Sequence, residues 1–160
     1  MSAVSPTPRP LALDTAELRA WRGMLRVHAS LTRELDAQLH AEHGLGLSAY
    51  EVLMFVGDAD GQRLRMSDIA DRVLLSRSGL TRLVDRLVAE NLLERSACAD
   101  DARGAFAELT PVGRRRLDAA RATHLDGVRR LFLSHLSDDD RARLAAVWER
   151  VLAAPAEGAA

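Results

Sequence analysis

The sequence contains no lysine and few cysteine or aromatic residues. All 22 basic residues of the 160-residue chain are arginines, and Phe, Trp and Tyr together make up 4% of it. We therefore expect a core built mainly of Leu, Val and Ala. The single cysteine, Cys98, excludes an intramolecular disulfide. The planar guanidinium group of arginine suits contacts with phosphate and guanine.

Long apolar runs are missing as well. No stretch approaches the roughly 18 apolar residues of a transmembrane helix, and the first residues lack the apolar segment of a signal peptide. We therefore expect a cytoplasmic protein with no membrane partner. Pro6, Pro8 and Pro10 predict a disordered tail over residues 1–13, and a second tail is expected over residues 154–160.

Neither sign of charge predominates, since the net charge is −1. This value excludes a uniformly basic nucleic-acid-binding protein. The distribution is uneven, however: residues 63–116 hold eleven arginines and eight acidic residues, and the segments on either side are net negative. A local positive field can attract a polyanion while the remaining surface keeps the protein soluble.

The most informative stretch is residues 76–91, which predicts an amphipathic helix. Its apolar residues follow helical spacing: Leu80, Leu83, Val84, Leu87 and Val88. Ser76 is a suitable N-cap, so the helix is expected to begin at Arg77. Hydroxyl and guanidinium groups dominate the opposite side, which carries Ser78, Thr81, Arg82, Asp85 and Arg86. Such groups bind base edges and phosphates, although a solvated helix face is the ordinary alternative.

The neighbouring segments place this helix in a larger pattern. A short helix is expected from Met66 or Ser67 to Val73. A turn over residues 74–76 joins it to the amphipathic helix just described. Two helices around a tight turn are typical of a helix-turn-helix motif, but simple core packing gives the same pattern. Strands are predicted at residues 92–96 and 105–109, with a loop over residues 97–104.

This predicted hairpin has the character of a wing. Arg103 in its loop suits a narrow minor groove, where the potential is most negative. Asp101 is placed to brace the loop or the Arg103 side chain. An ordinary surface hairpin, with both side chains solvated, is the alternative.

Helices are predicted on both sides of these elements. One runs from Asp14 to about His43, and Ser48 to Glu51 form a capping box that opens the next. Thr110 and Pro111 start a helix that reaches about His135. Ser137 starts the last one, which has an apolar stripe of Leu144, Val147, Trp148, Val151 and Leu152. Two apolar edges on the first helix are typical of packing against both its own domain and a second subunit.

Other functions find little support. Histidines at positions 40, 43, 124 and 135 complete no metal site. The pair Gly44 and Gly46 lacks the third glycine of a phosphate-binding loop, and no nucleophile motif is recognisable. We expect no enzyme activity, no metal and no cofactor. One alternative stays open: Cys98, near Arg95 and Arg103, is a candidate redox switch.

Taken in order, these motifs resemble those of the MarR (multiple antibiotic resistance regulator) family. The resemblance covers about residues 21–152. Its most specific part is Asp101-Ala-Arg103-Gly104 followed by Leu109-Thr110 and Gly113, which is similar to the family's wing signature. The segment LSRSGLTRLVDRLVAENLLER, residues 75–95, resembles the family's recognition helix and first wing strand.

The resemblance implies a mainly α-helical winged helix-turn-helix fold with a small two- or three-stranded β-wing. Residues 47–110 would form the DNA-binding domain, and residues 14–46 and 111–153 the dimerisation region. It further implies a homodimeric transcriptional regulator, interpreted here as a repressor that a small aromatic or phenolic anion releases from a palindromic operator in double-stranded DNA.

The resemblance also assigns residues. The DNA-binding positions would be Ser67, Ser76, Arg77, Ser78, Thr81, Arg82, Arg86 and, at the wing tip, Arg103. Asp101 and Gly104 would support the wing. The effector pocket is placed without a residue-by-residue match at Trp21, Arg22, Arg26, His28 and Tyr50. For Trp21 and His28, a core or dimer contact is the stronger interpretation.

Overall fold

The computed structural model describes residues 12–73, 75–98 and 101–153, without the side chains of residues 98 and 101–104. Within these ranges the helices are α1 (Thr15–His43), α2 (Leu47–Gly57), α3 (Met66–Ala70), α4 (Arg77–Ala89), α5 (Pro111–Leu131) and α6 (Asp138–Ala153). The strands are β1 (Arg63–Arg65), β2 (Leu93–Cys98) and β3 (Asp101–Leu109). The predicted tails lie outside the described residues, except for positions 12 and 13.

The core lies where α2, α3 and α4 pack against the sheet and against the ends of α1 and α5. Its largest fully buried side chains are mostly Leu and Val, as the composition predicts, with Tyr50 and Ile69 among them. The sheet is antiparallel with the order β1-β3-β2. The expected fold class, mainly α-helical with a small β-wing, is confirmed, and the sheet has three strands.

Close packing holds α1 and α5 together. A Cβ at Gly127 would lie 2.7 Å from Leu35 Cδ2, so glycine allows the two helices to approach. Near the end of α1, His43 Nε2 lies 2.7 Å from Thr123 Oγ1. Gly44 then ends the helix in the left-handed conformation, with φ of 64°.

The predicted start of α2 is wrong. Gly46, not Ser48, is the N-cap, and Ser48 lies inside the first turn. The backbone N–H of Leu47 donates instead to Asp36 Oδ1 of α1 over 2.7 Å. A carboxylate from a neighbouring helix therefore replaces the local capping box.

The predicted boundaries of the wing also need correction. The expected loop over residues 97–104 is wrong, because Ala97 pairs with Ala105 and Cys98 pairs with Asp101. The register shifts between Ala97 and Cys98, and such irregularities are typical of strand ends. Backbone pairing continues past the point where side-chain alternation fades.

The last two helices leave apolar surface uncovered. Helix α5 ends at Leu131, before the predicted His135, and a 3₁₀ turn over Leu133–His135 follows. Helix α6 contains no buried residue, and Trp148, Val151 and Leu152 are 41%, 60% and 84% exposed. Trp21 and Leu25 of α1 are exposed too. In the part of the chain described, no helix has the length and hydropathy to cross a membrane.

Candidate nucleic-acid interface

Helix α4 forms as its sequence predicts. Ser76 is the N-cap, and its Oγ accepts a hydrogen bond of 3.1 Å from the backbone N–H of Gly79. Leu80, Val84 and Leu87 are buried in the core. Because these residues fix the rotation of the helix, the opposite side faces solvent.

That side presents hydroxyl and guanidinium groups. Every residue assigned to it by the resemblance is exposed: Ser76, Arg77, Ser78, Thr81, Arg82 and Arg86. Within the described residues, Arg77 and Arg82 form no salt bridge, and Arg86 makes a long one of 3.8 Å to Glu90. Thr81 Oγ1 donates to the backbone carbonyl of Arg77 over 3.0 Å. The guanidinium groups of Arg77 and Arg82 are thus available to bind an external anion.

Ser67 lies in the first turn of α3, the short helix that precedes α4. Its side chain is exposed, and its hydroxyl donates to Asp68 Oδ1 over 3.1 Å. Between α3 and α4, Leu74 lies outside the described residues. Ser67 therefore remains a predicted phosphate contact.

The wing is connected to the rest of the domain by charged side chains. Arg95 of β2 donates to Asp85 of α4 over 2.8 Å. On the sheet, Ser96 donates to Glu108, and Glu108 pairs with Arg63 at 3.5 Å. Arg63 also lies over the ring of Phe106, 4.0 Å from its centroid. These contacts link all three strands. Arg63 offsets the charge of Glu108, which lies directly opposite Glu94.

The tip residues of the wing are only partly described. Asp101, Arg103 and Gly104 lie in β3, but their side chains are outside the described part, as is that of Cys98. The minor-groove contact of Arg103, the support from Asp101 and Gly104, and a redox role for Cys98 all stay predictions.

The arginines at the start of α5 hold the domain together. Arg114 donates to the carbonyl of Gly57 over 2.8 Å and to Gln62 Oε1 over 3.3 Å. Arg116 donates to the carbonyl of His43. Arg121 forms a 2.5 Å salt bridge with Asp58 at the end of α2. Arg114 and Arg116 therefore brace α5 against the ends of α2 and α1.

The five predicted effector residues do not meet within one chain. Arg22 and Arg26 line a shallow groove that is open to solvent and formed by residues of α1 alone, and Trp21 and His28 are exposed on the same helix. Tyr50 is 1% exposed and belongs to the core. It packs beside His124, near the C-terminal end of α1. Trp21 lies about 20 residues earlier in that helix, which at 1.5 Å per residue is roughly 30 Å away.

Tyr50, which is buried, and His124, which is partly buried, form an aromatic pair. Their ring centroids are 4.5 Å apart, and Nδ1 of His124 is buried with no hydrogen-bond partner among the residues that the structure describes. Burial lowers the pKa of His124 and raises the pKa of Tyr50. Both shifts favour the neutral form of the ring.

The sequence interpretation missed the pair Asp85 and Arg95 as a unit. Their residue types were available, but their contact joins a helix to a strand and has no local signature. The one usable signal is strand alternation, because Arg95 lies on the same face of β2 as the buried Leu93. Among the residues described, no group of three or more His, Cys, Asp or Glu is arranged for a metal ion.

The chain is similar to known DNA-binding regulators. A model of the MarR family matches residues 43–104. AbsC, a MarR family transcriptional regulator from Streptomyces coelicolor, is 33% identical and superposes with a TM-score of 0.84 over 89% of this chain and 96% of AbsC. Sco3205, from the same organism and of the same family, was crystallised in complex with DNA. It is 29% identical, with a TM-score of 0.86 over 94% of this chain and 96% of Sco3205.

A further similarity concerns MhqR, an HTH-type transcriptional regulator of Bacillus subtilis (strain 168). The two proteins are 32% identical over 88 residues, which make up 55% of this chain and 59% of MhqR. The chain thus spans less than two thirds of the length of this relative.

Proposed function

Because the chain belongs to the MarR family of winged helix-turn-helix transcriptional regulators, we propose that it binds a palindromic operator as a homodimer and represses transcription there. The observation that carries this proposal is the exposed side of α4, where Arg77, Thr81 and Arg82 face solvent. Base edges in the major groove are read by such side chains. The similarity to Sco3205, whose structure contains DNA, supports it further.

A homodimer accounts for the apolar surface of the outer helices. Helix α6 contains no fully buried residue, and only Leu144 and Val147 of its apolar stripe are partly buried. Exposed Trp21, Leu25 and Trp148 lie on α1 and α6. Exposed apolar patches of this kind mark protein–protein contacts. A two-fold dimer would present two copies of α4 to successive turns of DNA, about 34–36 Å apart.

The test measures, by fluorescence anisotropy at several salt concentrations, how tightly the full chain binds the DNA that flanks its own gene. We expect Arg82→Ala to weaken operator binding by about 1–3 kcal/mol if it contacts a base. Arg103→Ala should also weaken binding, through loss of the wing contact. Binding should become weaker as salt rises, because phosphate contacts release counterions.

Arg143→Gln is the matched control for these variants. It removes one arginine from α6, where Arg143 pairs with Asp139 at 2.8 Å, and it leaves α4 and the wing intact. Unchanged binding by Arg82→Ala and Arg103→Ala, with the dimer intact, would refute the assigned contacts. Binding that disappears against competitor DNA at moderate salt would favour a winged helix that serves only protein contacts.

We further propose that a small aromatic or phenolic anion releases the protein from DNA. Arg22 and Arg26 supply positive charge to the groove on α1, while the buried position of Tyr50 argues against its part in that site. Candidate aromatic acids should lower the operator affinity of the native protein and not that of Arg22→Gln. The redox alternative makes a different prediction: peroxide would release DNA from the native protein but not from Cys98→Ser.

A further inference from the structure

Asp85 and Arg95 join the exposed helix α4 to the wing. The Arg95 guanidinium donates to Asp85 Oδ1 over 2.8 Å. The side chains are 60% exposed for Asp85 and 34% exposed for Arg95, so the ion pair lies at the surface. Surface ion pairs add little to stability, because solvent screens them and ordering two long side chains costs entropy. This pair therefore needs an explanation other than stability.

The position of Arg95 in β2 provides one. Side chains alternate along a strand, so Arg95 lies on the same face as Leu93. Leu93 is 1% exposed in the core, whereas Arg95 is exposed although its partner in β3, Ala107, is buried. Two residues later, between Ala97 and Cys98, the register with β3 shifts. Arg95 thus holds β2 against α4 just before the wing projects away.

The position of Asp85 on α4 matters equally. At about 100° per residue, Asp85 lies within roughly 60° of Ser78, Thr81 and Arg82 on the helix surface. A free carboxylate at this place would repel the phosphates of an approaching duplex. Its contact with Arg95 neutralises that charge.

We infer that Arg95 is a positioning residue: through Asp85 it fixes the angle between the wing and α4 and neutralises a carboxylate on the DNA-facing side. This inference rests on the proposed DNA-binding function. It assigns Arg95 no contact with the DNA itself. Loss of the ion pair should free the wing to move while α4 keeps its place in the major groove.

The experiment uses the full chain, the DNA flanking its own gene, and the variants Arg95→Gln, Arg95→Lys, Asp85→Asn and Asp85→Asn/Arg95→Gln. Hydroxyl-radical footprinting reports the wing and α4 separately. Arg95→Gln should lose protection at the outer minor-groove positions, keep the central protection and weaken affinity by about tenfold. The midpoint of thermal unfolding should stay nearly unchanged.

The other variants sharpen the test. Arg95→Lys retains the charge and should keep most of the outer protection. Asp85→Asn should lose the same outer protection as Arg95→Gln but less affinity, because it leaves no unpaired carboxylate facing the DNA. The double variant should lose no more than Arg95→Gln, since both changes remove one interaction. Arg143→Gln, which removes an equally short ion pair in α6, should bind and footprint as the native protein does.

The possible failures are distinguishable. If the native protein binds no DNA, the proposed function is wrong. If the native protein binds and Arg95→Gln gives the native footprint and affinity, the inference about Arg95 is wrong. An additive loss in the double variant, with the outer protection intact, would overturn it as well, because Arg95 would then act on the DNA directly.

Discussion

Thr110 shows how much one buried hydroxyl contributes at the scale of the residue. Its Oγ1 accepts from the backbone N–H of Gly113 over 2.9 Å and donates to the carbonyl of Asn91 over 2.7 Å. It therefore caps α5 and ties that cap to the turn between α4 and β2. Gly113 lies so close to this turn that an added Cβ would overlap the Leu92 carbonyl oxygen.

Gly113→Ala is therefore expected to destabilise the protein by at least about 1–3 kcal/mol, the range for overpacking a filled site. The obstacle is a backbone carbonyl, which cannot move aside as a flexible side chain does. Denaturant unfolding measures the change. Gly23→Ala in α1 is the control, because a Cβ there meets nothing within 4 Å. Equal stability of the two variants would contradict the packing seen at Gly113.

The buried ring of His124 predicts a stability that depends on pH. Burial lowers the pKa of His124 below its ordinary value of 6.5. The unfolded chain consequently binds a proton more readily than the folded chain, and folding stability falls as the pH drops below about 6.5. His124→Phe should reduce this loss, since phenylalanine keeps the ring beside Tyr50 and cannot be protonated.

Thermal unfolding of both proteins between pH 7.5 and about 5.5 tests this difference. His135→Phe is the matched control, because His135 is exposed in the 3₁₀ turn after α5. It should follow the native pH dependence. The interpretation would fail if His124→Phe lost as much stability in acid as the native protein does.

At the scale of the element, α2 begins with help from another helix. Asp36 of α1 accepts the Leu47 N–H, in the role that a side-chain N-cap performs elsewhere. Asp36→Ala should therefore lower the free energy of unfolding by about 1 kcal/mol, the usual cost of losing a cap. Ser48→Ala should change it little, because Ser48 already lies within the helix. If the two variants reversed this order, the local capping box would be the true one.

The same contrast explains which elements could be predicted. Ser76 and Thr110 cap the helices that follow them directly, so neighbouring residues in the sequence determine where α4 and α5 begin. Strand β1 is three residues long and exists because it pairs with β3, more than forty positions later. Likewise the Asp36 cap and the Asp85–Arg95 pair depend on distant partners. Periodicity and capping signals carry no information about such contacts.

The residues of the candidate interface likewise differ in whether local sequence or distant contacts determine their position. The exposed face of α4 was predictable because helical spacing fixes which residues face away from the core. The burial of Tyr50 was not predictable, because its ring packs on His124 of α5, a residue 74 positions away, and its place in the effector site stays a prediction. The bracing contacts of Arg114 and Arg116 have no local sequence signature, because they form only where α5 packs across the ends of α2 and α1.

At the scale of the whole molecule, the apolar side of α6 predicts a testable association. Trp148→Asp puts a charge in the exposed apolar stripe, so the proposed dimer should dissociate at micromolar concentration and operator affinity should fall. Analytical ultracentrifugation measures the association. Ala146→Glu is the control, because residue 146 lies on the opposite side of α6 at about 100° per residue. A native protein that sediments as a monomer would remove the proposed dimer.

The lack of any buried residue in α6 also bears on how long the protein persists. Within the described residues, the support of α6 from the rest of the chain is limited to the partly buried Leu144 and Val147 and to the bond from Arg141 to the Leu133 carbonyl, and a short helix with little tertiary support is only marginally stable in water. A subunit without its partner would therefore expose an unwound C-terminal segment to proteases, whereas a paired subunit would not. Turnover would then be fastest when copies are few, and accumulated regulator would protect itself from degradation.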